Sequence, residues 1–100
     1  ERGKSWIDGI GSTSVLAEMW PLLDVLVDDV MVVSHSEAEK ALRLLAAKAH
    51  LVSEGAGAVA MAAAMHPQFC GQKVVAVISG GNIDPKTFSE ILDSSYSGDN

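Results

Sequence analysis

VVAVISGGNID, residues 74–84, reads as a strand that breaks at two glycines and hands the chain to a helix. Val74 to Ile78 form a continuous apolar run, which suits a strand covered on both faces, as in a parallel sheet. Gly80 and Gly81 remove side chains where backbone must turn tightly or approach a ligand. Asp84 and Pro85 then spell an N-cap followed by the first residue of a helix. In open α/β sheets, ligands lie beyond the carboxyl ends of strands, where loop amides and the next helix's N-terminus favour anions and polar rings. Ser79 falls at that rim. A strand-to-helix turn also uses glycines for its geometry alone, so this stretch speaks for a fold before it speaks for a ligand.

On either side the pattern repeats. VMVVSH (30–35) predicts a second buried strand, and Trp6 and Ile7 a short third one ended by Asp8 and Gly9. Val15, Leu16, Met19, Leu22, Leu23 and Val27 recur near helical spacing and predict a helix over about 14–27, kinked or split by Pro21. Ser36 and Glu39 spell an S-x-x-E capping box for an amphipathic helix over 37–51, with Glu37, Lys40, Arg43 and Lys48 on its solvated face and Glu39 paired to Arg43 there. SEGAGAVAMAAAMHP (53–67) is apolar almost all round and predicts a buried helix, closed by His66 and Pro67, in which Gly57 and the alanines admit a neighbour closely. A last helix runs from about Pro85 to Leu92.

Buried strands alternating with helices predict the α/β class, as a small parallel sheet of two or three strands with helices on both faces. The predicted organisation is one α/β domain over 1–95 and a polar tail over 96–100. So few strands leave unpaired edges and apolar faces, and the expectation is that these are covered by a second copy of the chain, as a homodimer, or by further protein.

Composition narrows the function. Of 100 residues 48% are apolar and 5% aromatic, which fits close helix-on-sheet packing. The mean hydropathy of +0.23 is high for this length. Net charge is −6, and the seven Lys and Arg residues are scattered, so no basic patch supports nucleic-acid binding. Cys70 is the only cysteine, which excludes an internal disulfide and a CxxC metal pair and points to a reducing cytoplasm; it reads as an inert, at least half-buried thiol. No apolar run approaches about 18 residues, so no membrane span is expected.

Four ordered pieces, DGIGSTSV (8–15), WPLLDVLVDDVMVVS (20–34), SEGAGAVAMAAA (53–64) and VISGGNID (77–84), together resemble the C-terminal part of pyridoxal-phosphate enzymes of the threonine dehydratase, serine dehydratase and serine racemase family. The likeness runs from about Ser5 to Leu92. It implies part of the large domain of a fold type II enzyme, whose activity is α,β-elimination from a hydroxy-amino acid to give a keto acid and ammonia. By the same resemblance Ser79 matches the serine whose hydroxyl meets the cofactor's pyridine nitrogen. Gly80 matches the glycine beside it, Asn82 the helix-entry residue, Gly9 backbone at the ring's edge, and Glu54 an acidic residue near the ring. Read from its own surroundings, Glu54 is equally a carboxylate favoured at a helix start.

The family's Schiff-base lysine motif, of S-x-K-x-R-G type, and its phosphate-cupping run of glycines do not occur among these residues. Lys4, Lys40, Lys48, Lys73 and Lys86 stand in no comparable context. The expectation is therefore a truncated dehydratase-like segment, catalytically incomplete alone, with no catalytic residue of its own, no metal ligands and no covalent hold on pyridoxal phosphate. Its partner would be the remaining N-terminal dehydratase portion. The alternative is a non-enzymatic homo-oligomeric module derived from that fold; a third reading is a small-ligand binder that uses the SGGN rim.

Overall fold

The computed structural model describes residues 6–7 and 16–93. Four α-helices appear in the order α1 (Trp20–Leu26), α2 (His35–Leu44), α3 (Gly55–Ala64) and α4 (Pro85–Leu92). A π turn, Leu45–Ala49, continues α2, and a 3-10 turn, Pro67–Phe69, follows α3.

The α2 helix opens on a capping box, two residues earlier than Ser36 and Glu39 predict. Glu37 N–H donates to Ser34 Oγ at 3.1 Å, and Ser34 N–H donates to Glu37 Oε1 at 2.9 Å. Two orphan amides of the first turn are thus satisfied reciprocally. SHSEAE contains both S-x-x-E pairs. Glu39 is buried, at 3% exposure, rather than on a solvated face. Arg43 also turns inward, where Nη1 donates to the Ile91 carbonyl at 3.1 Å and ties α2 to the last turn of α4. The helix loses its α register after Leu44, and His50, left-handed at φ 57°, ends the π turn.

The core is small. Ala41, Leu42 and Leu45 pack against Ala58 and Ala62 of α3 and Ile91 of α4, with Val33, Met61, Ile78, Ile83 and Phe88 half-buried around them. The alanines let α3 lie close on α2, so the close packing is of helix on helix and not, as the composition predicts, of helix on sheet. In α1, Pro21 falls in the first turn, where a missing amide hydrogen costs no bond, so it opens the helix instead of splitting it. None of α1 is buried.

The expected parallel sheet is not formed. Among the described residues there is no strand: 30–34 and 73–84 carry no regular secondary structure. A strand exists only through its neighbours, and these two runs, though apolar, make no ladder with one another. Val32 and Val75 are 90% and 91% exposed, the opposite of strands covered on both faces. Cys70, expected to be at least half-buried, is exposed beyond the 3-10 turn. The predicted strand at 6–7 shows no strand structure, and the polar tail lies outside the described residues.

Candidate functional site

The stretch that begins α4 folds as its sequence directs. Asp84 is the N-cap, its Oδ2 accepting from Thr87 N–H at 3.1 Å and from Thr87 Oγ1 at 3.2 Å, and Pro85 follows in the first turn. Just upstream, Ile83 N–H donates to Gly81 O at 3.0 Å and tightens the loop. These bonds tie 81–84 into the start of the helix.

That turn is clasped to the start of α3. Glu54, the N-cap of α3, donates its backbone N–H to the Gly80 carbonyl at 3.0 Å. Three glycines make the approach possible. A Cβ on Gly80 would collide with the Glu54 carboxylate, and one on Gly81 would stand 2.6 Å from the Val52 carbonyl. A Cβ on Gly57 would stand 2.9 Å from the Gly80 carbonyl and 2.7 Å from Ser53 Oγ. Contacts under about 3.0 Å do not occur for real Cβ atoms; at Gly57 and Gly81 the atom in the way is backbone, so glycine is needed there, whereas at Gly80 it is the end of the Glu54 side chain, which can turn aside. Ser53 is fully buried, and its hydroxyl donates to the Glu54 carbonyl at 2.8 Å.

A cleft of about 200 Å³ opens between the N-termini of α3 and α4, bordered by Trp6, Glu54, Gly55, Asn82, Ile83, Asp84 and Thr87. The backbone of Gly55 is crowded by Trp6 and Ile7, so an added Cβ there would meet both side chains at 2.6 Å. Of the residues the sequence singles out, the structure brings Glu54, Gly80 and Asn82 together. Ser79 stands next to Gly80 on the exposed side of the turn and does not border the cleft. Gly9 lies outside the described residues. Ser53, Gly57 and Trp6 belong to the site without having been singled out for it. The closely spaced glycines of SEGAG were the available signal for Gly57.

Two other clefts lie away from these residues. One, of about 150 Å³, includes Glu37, Lys40 and His66. There Glu37 Oε2 and His66 Nε2 are 2.8 Å apart, joining the start of α2 to the end of α3. The Ser34 backbone N–H, then its hydroxyl, and also His66, hold the Glu37 carboxyl below its ordinary value of 4.5. The other cleft, of about 430 Å³, follows the exposed apolar face of α1 around Trp20, Leu23 and Val27. Among the described residues no lysine borders the Glu54–Asn82 cleft, and no cluster of His, Cys, Asp or Glu could hold a metal ion. No described helix is long and apolar enough to cross a membrane.

Residues 1–80 match the family described as pyridoxal-phosphate dependent enzyme. The L-threonine ammonia-lyase of Geobacter sulfurreducens is 38% identical over 88 residues, which are 86% of this chain and 22% of that protein. The L-threonine ammonia-lyase of Thermotoga maritima is 37% identical over 86 residues, 85% of this chain and 21% of that protein. The catabolic L-threonine dehydratase TdcB of Escherichia coli K12 is 40% identical over 70 residues, 66% of this chain and 21% of that protein. The chain spans about a fifth of the length of the curated relatives it matches.

Proposed function

Because the chain belongs to the pyridoxal-phosphate dependent enzyme family, we propose that it forms one wall of the cofactor site of a threonine or serine dehydratase-like ammonia-lyase. The observation that carries this reading is the clasp between Glu54 and Gly80, which joins the SEGAG and SGGN stretches in one place. The residues suit the edge of an aromatic ring. The loop is stripped of side chains at Gly80 and Gly81, and a hydroxyl stands beside it on Ser79. They do not enclose a ligand, since pockets for molecules of cofactor size run to about 300–1,000 Å³ and this cleft has about 200 Å³.

When bound, pyridoxal phosphate supplies an electron sink for charge developing on the substrate's α-carbon. The chain's own part is to orient the ring. In the whole enzyme the Ser79 hydroxyl would donate a hydrogen bond to the ring nitrogen while keeping its proton, which would leave that nitrogen largely unprotonated. Bare backbone at Gly80 and the amide of Asn82 would lie at the ring's edge, and Glu54, held by its own backbone to Gly80, would set a carboxylate near them. On this reading the lysine for elimination comes from the complementary portion, since the S-x-K-x-R-G type motif does not occur in these hundred residues. Threonine or serine as the substrate of the whole enzyme is part of the proposal, supported by the printed names of the relatives. A cytoplasmic location belongs to it too, supported by the single cysteine.

The test is reconstitution. Mixing the chain with the complementary dehydratase portion and pyridoxal phosphate should give the visible absorbance of bound cofactor and release of keto acid from threonine or serine. Neither signal appearing would overturn the proposal. A second reading, a homo-oligomeric module, is favoured by the exposed rows Val30 and Val32, and Val75 and Val77. Light scattering decides it: a monomer mass at micromolar concentration rules it out.

A further inference from the structure

We propose that Gly57 is a positioning residue for the 79–82 loop: having only a hydrogen at this point of α3 lets the Gly80 carbonyl seat on the Glu54 amide and so fixes where the Ser79 hydroxyl stands. The inference rests on the reading of that loop as a wall of the cofactor site. It assigns Gly57 a task other than the helix packing its sequence context suggests.

Three atoms crowd the place a Cβ would take. They are the Gly80 carbonyl oxygen at 2.9 Å, the Gly80 nitrogen at 3.3 Å and Ser53 Oγ at 2.7 Å. The first two are backbone and cannot rotate away. The serine hydroxyl can turn, but only by giving up its bond to the Glu54 carbonyl. Gly81 brackets the loop from the other end, where an added Cβ would meet the Val52 carbonyl at 2.6 Å. The loop therefore has no direction in which to yield without breaking the bond from Glu54 N–H to Gly80 O. Alanine is a better helix former than glycine, so on propensity alone Gly57→Ala would strengthen the first turns of α3. Crowding of the loop predicts the opposite sign at Glu54.

Amide hydrogen exchange by NMR on the full chain reads this directly. In Gly57→Ala the Glu54 amide should exchange about tenfold faster or more, while Leu42 and Leu45 in the core keep their protection. With the complementary dehydratase portion added, titration with pyridoxal phosphate should move the Ser79 and Gly80 amide resonances, and the variant should lose that response. The double variant Ser53→Ala with Gly57→Ala should not restore either signal, because the Gly80 carbonyl remains in the way. Unchanged or slower Glu54 exchange in Gly57→Ala overturns the proposal, as does restoration in the double variant. If Gly57→Ala loses all protection, Gly81→Ala decides instead: faster Glu54 exchange over an intact core supports the clasp, and retained protection overturns it. A reconstituted mixture whose Ser79 amide ignores pyridoxal phosphate defeats the cofactor reading, while the Glu54 amide of the chain by itself still decides the role of Gly57.

Discussion

Ser34 and Ser36 lie two residues apart in one short polar segment, and only Ser34 caps α2. Ser34→Ala should cost about 1 kcal/mol in urea unfolding. Ser36→Ala should stay within about 0.5 kcal/mol of the parent. The box also carries a pH dependence. The Ser34 backbone amide and hydroxyl, with His66, lower the carboxyl of Glu37 in the folded chain. A lowered carboxyl stabilises the fold above its unfolded value and ceases to do so as pH falls through its folded value. The urea midpoint should therefore decline as pH drops below 4.5, and Glu37→Gln should flatten that part of the profile. The overlapping S-x-x-E pairs of SHSEAE show how far such spacing is legible. It announces a helix start correctly, but it cannot rank two equal caps. Ala38, Ala41, Leu42 and Leu45 fall on the buried face of α2 whichever serine caps it, so the apolar pattern does not rank the two either.

Helices in this chain were readable because each carries its own instructions. Asp84 and Pro85 mark the start of α4 and Ala-rich packing marks α3, and both stand where those signals put them. The strands were not readable in the same way. An apolar run such as VVAVI states a willingness to be covered, whereas a ladder needs a second backbone, which no single segment can encode. The clasp of 80 to 54 was also out of reach, since it joins residues by main-chain atoms common to every sequence. What the sequence could show there was the glycines. At this scale the α2–α3 contact makes a sharp prediction. Ala58 is fully buried and Ala62 nearly so, so Ala58→Leu should force the helices apart and cost about 1–3 kcal/mol in urea unfolding. Leu42→Ala, which empties the same interface, should cost about 2–5 kcal/mol.

The molecule as a whole is loosely gathered. Its radius of gyration is 14.4 Å, against about 13 Å for a compact domain of this length. Apolar side chains face outward along α1 and along both valine rows. An apolar dye such as ANS should bind the isolated chain strongly, and its fluorescence should fall when the complementary dehydratase portion is added. Val75→Lys with Val77→Lys should lower dye binding and abolish complementation, yet change the chain's own stability by less than about 0.5 kcal/mol. The clasp has a different bearing on the chain's evolution. Because its donor and acceptor are both backbone, truncating a neighbouring side chain removes neither partner; adding bulk at Gly57 or Gly81, or removing the hydrogen at position 54 with proline, is what breaks it. An alanine scan of the polar residues around it would leave both partners of the joint in place, and the mark it leaves on a library of variants would be two glycines, Gly57 and Gly81, that resist anything larger.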